Sequence, residues 1–167
     1  MSRSPSLVLL ATLVIGLIGC DHATKHLAET ELSGQAPISL IANVLDLRYT
    51  QNHDVGFSLL RQIPETTRTP LIFAGGAVGL LLISLLWRQR RSAGAARLEQ
   101  LAYAVILAGA LGNLSDRLLR GYVVDFVHLH HWPVFNVADI CLVVGVGLVI
   151  LGSRQRRSPA AGSFRAA

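Results

Sequence analysis

Four runs of apolar residues divide the chain: Leu7–Gly19, Pro70–Trp87, Leu101–Leu114 and Val137–Gly152. A helix needs roughly 20 apolar residues to cross a hydrocarbon core of about 30 Å. Several of these runs are shorter. The first and third must therefore continue into polar neighbours, which brings Asp21, Lys25, Asn113, Asp116 and Arg117 to one membrane interface. The pattern changes between the first two runs. Leu45, Leu47 and Tyr49 alternate with Asp46, Arg48 and Thr50, and Val55, Phe57 and Leu59 alternate with Asp54, Gly56 and Ser58. Period two predicts two short strands, with Gln51-Asn52-His53 between them. The expected fold is an α-helical membrane protein, a bundle of four transmembrane helices with a small β-sheet on the membrane surface at about residues 35–62. Residues 1–153 form one domain on this reading. The tail 154–167, rich in Arg, Ser, Ala and Gly, is expected to be disordered.

Composition agrees with the spans. Of 167 residues, 51% are apolar and only 15% charged, and mean hydropathy is +0.49, too apolar for an ordinary soluble domain. The pI near 10.0 raises nucleic acid as a partner. Aromatic residues are few (6%) and there is no basic stripe, so no nucleic-acid partner is expected. The bases instead follow a topology. With linkers taken alternately, the N-terminal side holds nine (Arg3, Arg88, Arg90, Arg91, Arg97, Arg154, Arg156, Arg157, Arg165) against one acid, Glu99. The other side holds six bases, nine acids and all six histidines. Cytoplasmic loops carry the excess of Lys and Arg, so both termini are placed in the cytoplasm and the acids face outward. Cys20 and Cys141 lie in apolar surroundings and read as small buried hydrophobes.

The N-terminus allows a second reading. Arg3, the run Leu7–Leu17 and Leu17-Ile-Gly-Cys20 resemble a secretory signal ending in a lipoprotein cleavage box. Three further spans argue against a cleaved, lipidated chain. So do Asp21 and Lys25, which at i and i+4 share one helical face and continue the first span.

The candidate chemistry lies in two aspartates beside the spans. Asp125 sits in Gly121-Tyr-Val-Val-Asp-Phe126 and Asp139 in Phe135-Asn-Val-Ala-Asp139. An ionisable group in such surroundings is costly and by default marks a functional site. Two adjacent carboxylates share a proton, so one activates water while the other protonates a carbonyl oxygen. Peptide hydrolysis then needs no serine, cysteine or metal. If Val137 opens the fourth helix, Asp139 occupies its first turn, where the helix dipole favours negative charge. Either aspartate alone has a structural explanation, Asp139 as a helix-start complement and Asp125 as a strand end. Arg117 offers a planar fork for a carbonyl or phosphate, or pairs with Asp116 as an interfacial anchor. Gly109 and Gly112 permit close helix approach. His128, His130 and His131 invite a zinc site with Asp125, but their spacing matches no metal motif, and they read as interfacial polar residues. No metal or cofactor is expected. A proton-coupled transporter or membrane adaptor is the competing class. A proton relay would be strung through the bilayer, whereas these acids gather at one face.

Five blocks together resemble the lipoprotein signal peptidase family, signal peptidase II: Asp21-His-Ala-Thr-Lys25, Asn52-His-Asp-Val-Gly-Phe57, Gly109-Ala-Leu-Gly-Asn-Leu-Ser-Asp-Arg117, Val123-Val-Asp-Phe126 and Phe135-Asn-Val-Ala-Asp139. The resemblance spans about Asp21 to Gly147. It implies an intramembrane aspartyl endopeptidase of the bacterial inner membrane, active at the periplasmic face. Such an enzyme cleaves diacylglyceryl-modified prolipoproteins before the lipidated cysteine. By the same resemblance Asp125 and Asp139 are the catalytic dyad, and Asn52, Gly56, Asn113, Arg117 and Asn136 line the substrate site. Asp21, Lys25, Gly109, Gly112, Asp116 and Ala138 support it. The implied partners are prolipoproteins, membrane lipids and globomycin-type inhibitors. One departure is visible. The family usually has glycine two residues after the asparagine of the second block, where this chain has Asp54.

Overall fold

The computed structural model describes residues 5–53 and 97–157 (the last four by backbone alone), together with Gly76, Gly79, Ile83, Ser84, Trp87 and Arg88. Its elements run α1 (Leu7–Leu32), β1 (Ile38–Ile41), β2 (Leu45–Asn52), α2 (Arg97–Arg120), β3 (Val123–Leu129) and α3 (Val137–Arg157). Ser6 caps α1, its hydroxyl accepting from the Leu9 amide at 3.1 Å. As expected, α1 continues past the first apolar run through Asp21 and Lys25, without interruption at Cys20. At 26 residues it is long and apolar enough to cross a membrane, and only 17% of its most apolar stretch is buried inside the protein. Leu7, Val8, Ile15 and Leu27 point outward, an apolar surface that suits lipid.

Two expectations change here. Cys20 is exposed on α1, while Cys141 is buried. Helix α3 runs through Arg157, four residues into the expected tail, because nothing in Ser153-Arg-Gln-Arg-Arg157 breaks the i→i−4 ladder. Most of the run Pro70–Trp87 lies outside the described residues. The six described positions from Gly76 to Arg88 are helical, and a Cβ on Gly76 would stand 3.5 Å from Leu114 Cδ1 of α2.

Helices α2 and α3 form the closest pair, and glycines set their distance. A Cβ on Gly109 would strike the Ala138 carbonyl and come within 3.1 Å of Cys141 and Leu142. One on Gly112 would stand 2.7 Å from Asp21 Oδ2 and 3.3 Å from the Ala138 Cβ. The close approach expected of these two glycines is therefore present, and Ala138 is its counterpart on α3. Gly109→Ala should force the helices apart and lower stability by about 1–3 kcal/mol, the usual cost of overpacking. Thermal unfolding in detergent checks this, with Gly147→Ala, where added volume meets nothing within 4 Å, as the control.

Among the described residues the sheet is three-stranded and antiparallel in the order β1-β2-β3. The expected strand at 45–50 is β2, extended to Asn52, so Gln51 and Asn52 are strand residues rather than a connection. The expected second strand, 55–59, lies outside the described residues, as do Asp54 and Gly56. Among the described residues the partners of β2 are β1 and β3. Asn43, at φ 58, makes the tight β1–β2 turn, a left-handed position that Asn tolerates. Helix α2 ends at Gly121 (φ 80), whose amide bonds back to the Arg117 carbonyl at 3.1 Å. This cap turns the chain directly into β3, which delivers Asp125 opposite Thr50. One face of the sheet rests on the end of α1, where Leu47, Tyr49, Tyr122, Val124 and Phe126 pack around Ala28 and Leu32.

Candidate active site

The site is built where α1, α2, β3 and the start of α3 meet, and its base is a buried ion cluster. Lys25 is fully buried. Its ammonium stands 2.7 Å from Asp21 Oδ2 and 2.9 Å from Asp116 Oδ2, and donates to Asn113 Oδ1 at 3.0 Å. Three N–H groups thus meet three acceptors, which a buried ammonium requires. Asp21 reaches further. Its Oδ1 accepts from the Ala138 amide at 2.9 Å, so a carboxylate on α1 satisfies the N-terminus of α3. The alternative of an Asp116–Arg117 anchor does not hold. Asp116 turns inward to Lys25, with Arg120 Nε at 3.6 Å, because at i and i+1 neighbours leave a helix in different directions. Arg117 donates to the Asn113 carbonyl at 3.2 Å and lies in the field of Asp125, Asp139 and Asp116.

Two asparagines carry this order upward. A lysine ammonium can only donate, so Asn113 must present its oxygen to Lys25. Its amide nitrogen then faces Asp139, donating to Oδ1 at 2.9 Å. Asn136 is fixed in the same manner. It is the N-cap of α3, its Oδ1 accepting from the Asp139 amide at 3.0 Å, while Asp139 Oδ2 accepts from the Asn136 amide at 3.2 Å. This reciprocal pair is a capping box. With its oxygen committed to the cap, Asn136 turns its amide nitrogen to Asp125 Oδ1, at 2.6 Å, and to Asn113 Oδ1, at 3.1 Å. Asn52, from the last position of β2, donates to Asp125 Oδ2 at 2.8 Å. All four carboxylate oxygens of the two aspartates therefore accept an amide N–H, and Asn136 touches both residues.

The two carboxyls differ in surroundings. Asp125 is buried, 2% exposed, and burial pushes its carboxyl up to about 6. The amide of Asn52 opposes that shift, and the negative charge of Asp139 adds to it. Asp139 is half-buried at the first turn of α3.

Of the residues singled out from sequence, Asp21, Lys25, Asn52, Gly109, Gly112, Asn113, Asp116, Arg117, Asp125, Asn136, Ala138 and Asp139 converge in this one region. Gly56 falls outside the described residues. The histidines do not join it. His128 and His130 turn to Asp46, not Asp125. His22 was missed: its Nε2 is 2.8 Å from Ser115 Oγ. The i, i+1 step from Asp21 hid it, since only the partner helix brings Ser115 there.

A family model described as "Signal peptidase (SPase) II" matches residues 13–154, most of the chain. The chain belongs to the signal peptidase II family. Similar proteins include the lipoprotein signal peptidase of Photorhabdus laumondii, 34% identical over 145 residues and covering 84% of each chain. That of Syntrophotalea carbinolica is 36% identical over 149 residues, covering 87% of this chain and 88% of the relative. A bacterial membrane enzyme solved by the in meso method at 2.3 Å shares the fold with a TM-score of 0.76 at 22% identity, over 100% of this chain and 99% of the other. Like its signal peptidase II relatives, the chain is a peptidase of a membrane-enzyme fold.

Proposed function

We propose that this signal peptidase II is an aspartyl endopeptidase with Asp125 and Asp139 as its dyad, and that it removes signal peptides from diacylglyceryl-modified prolipoproteins by cleaving before the lipidated cysteine. The observation that carries this reading is the pair of carboxylates joined through Asn136, with every oxygen aligned by an amide donor. Such preorganisation fixes both acids without consuming their second lone pairs, which stay open to a water and a substrate carbonyl. Asp139, at the positive end of α3, is the carboxylate that takes a proton from the attacking water. Asp125, buried and more readily protonated, donates to the carbonyl oxygen. The tetrahedral gem-diol then collapses as the C–N bond breaks: one hydroxyl proton returns to Asp125, and the departing amine of the lipidated cysteine receives the proton held by Asp139. Arg117, within the field of both aspartates, orients substrate. Asn52, Asn113 and Asn136 line and align the site, and the family resemblance assigns Gly56 to substrate binding with them.

Four spans complete the reading. Helices α1, α2 and α3 are three of them and Pro70–Trp87 the fourth. Together with the sheet they form one domain, residues 1–153. The arginine bias puts both termini in the cytoplasm of a bacterial inner membrane, with the dyad at the periplasmic face. Leu118 and Leu119 stand exposed beside Arg117, an apolar border suited to the acyl chains of the substrate and to membrane lipids.

The purified enzyme in detergent should cleave a diacylglyceryl-modified prolipoprotein and release a product beginning at the modified cysteine. It should leave the unmodified precursor intact, be blocked by globomycin and keep its activity in EDTA. Equal turnover of both precursors, or loss in EDTA reversed by zinc, would remove the substrate assignment or the metal-free dyad.

The pH dependence has a definite sign. The folded value of Asp125, about 6, lies above the ordinary 3.8, so the folded protein holds this proton more tightly than the unfolded chain. Its stabilising contribution is present at low pH and is lost as pH rises from about 4 through about 6. Activity of the free enzyme falls over the same alkaline limb as the acid is deprotonated, the apparent value belonging to the pair. Asn52→Ala removes a donor that favours the carboxylate, so it should move that limb of kcat/KM upward. A downward or absent shift in the pH–rate profile would contradict this assignment of the acid.

A further inference from the structure

Away from the dyad, the far end of the sheet holds a second group of ligating side chains. Asp46 on β2 faces its register partner His128 on β3, and His130 follows in the next turn. Asp46 Oδ2 lies 3.5 Å from His128 Nδ1 and 3.0 Å from His130 Nε2. One ligand atom from each residue lies within 4.8 Å of the other two. Asp125 is an odd number of positions from His128 along β3, so the two side chains leave opposite faces of the strand.

We propose that Asp46, His128 and His130 form a divalent transition-metal site, best suited to zinc and separate from the catalytic dyad. Zinc–ligand bonds of about 2.0–2.2 Å in a tetrahedron put neighbouring ligand atoms about 3.3–3.6 Å apart. The His128 edge, 3.5 Å, falls within that range, and the His130 edge, 3.0 Å, lies just below it. The donor set, two imidazoles and a carboxylate, is one that zinc takes with a water in the fourth position. The three side chains are 14%, 17% and 35% exposed for Asp46, His128 and His130, so the carboxylate is held in place while solvent reaches the open side. Ser39 on β1 is the register partner of Asp46 and favours its carboxylate form, an outer support of the kind ligating carboxylates use.

An independent observation shows that the group already attracts a cation. The Arg48 guanidinium contacts His128 Nδ1. The same nitrogen also faces the Asp46 carboxylate, and metal binding needs it in its unprotonated form. Arg48 fills this electron-rich space imperfectly, its buried Nε–H having no hydrogen-bond partner among the described residues. A metal ion would take the same place and release Arg48 towards solvent. Bound there, it joins β2 to the end of β3 and stiffens the sheet that carries Asn52 and Asp125.

The test uses metal-stripped, tag-free full-length protein in detergent, titrated with zinc against a chromophoric chelator. One zinc per chain is expected, with no comparable binding of magnesium or calcium. Asp46→Asn and His130→Ala should each weaken zinc by at least about tenfold. Arg48→Ala should tighten it several-fold, because the competing cation is gone. His131→Ala, outside the cluster, should change nothing. Melting temperatures without metal verify that the variants fold, and cobalt(II) added to the wild-type chain should give the visible bands of a tetrahedral site. Absence of zinc binding by the wild-type chain overturns the proposal. So does affinity undiminished in both Asp46→Asn and His130→Ala, or a cobalt spectrum that is purely octahedral. Prolipoprotein cleavage by these variants should remain near wild type, which distinguishes this site from the dyad.

Discussion

Asp125→Asn and Asp139→Asn should each lower turnover of a diacylglyceryl-modified prolipoprotein by at least about 10³-fold, within the range expected when a positioned acid or base is lost together with its proton. The reason is geometric as well as chemical. Asn136 bonds to both aspartates, at 2.6 Å through its side chain and 3.2 Å through its backbone, so they are held as one unit. An asparagine at either position keeps the size but cannot exchange the proton. The double variant should be little worse than either single one, because residues that act together lose their contribution once. Folding has to be checked separately. Asp139 is also the N3 residue of the capping box, so Asp139→Asn is expected to cost a further ~1 kcal/mol of stability, whereas Asp125→Asn relieves a buried carboxyl but turns an amide donor against that of Asn52 or Asn136. Turnover near wild type in either single variant, with insertion intact, would rule out the dyad mechanism.

The largest loss of stability is expected from Lys25→Met. The methionine fits the space but leaves Asp21 and Asp116 without their shared counter-charge, 2.7 and 2.9 Å away. Removing one partner of a buried ion pair costs about 3–5 kcal/mol. The triple variant Lys25→Met, Asp21→Asn, Asp116→Asn removes the stranded charges and should recover much of that loss. Activity should recover less. Lys25 is the donor that orients Asn113 towards Asp139, so it is a positioning residue as well as a structural one. Chemical denaturation in detergent, read beside the cleavage rate, separates the two effects. Stability and activity restored together in the triple variant would reduce Lys25 to charge balance alone.

Much of the architecture was legible in the chain itself. The apolar runs located α1, α2 and α3 because each helix carries an apolar run long enough to read in sequence whatever it packs against. Alternation located β2 because one face of it lies on Ala28 and Leu32. The aspartates stood out because carboxylates beside apolar spans are costly enough to require a purpose. Their surroundings were less legible. Val123–Leu129 is apolar on both sides of Asp125 in sequence, so period two did not announce β3; only pairing with β2 made it a strand. The side-chain orientations were not legible either. Asp21 is a helix cap for α3, Asp116 turns from Arg117 to Lys25, and His128 leaves Asp125 for Asp46. Each of these depends on a partner between 82 and 117 positions away in the chain, or on which face of a strand a residue takes. Sequence alone therefore determined which residues had to leave water near the membrane. The tertiary structure decided which of them meet, because a buried charge is fixed by the partner that neutralises it, and that partner is supplied by another element.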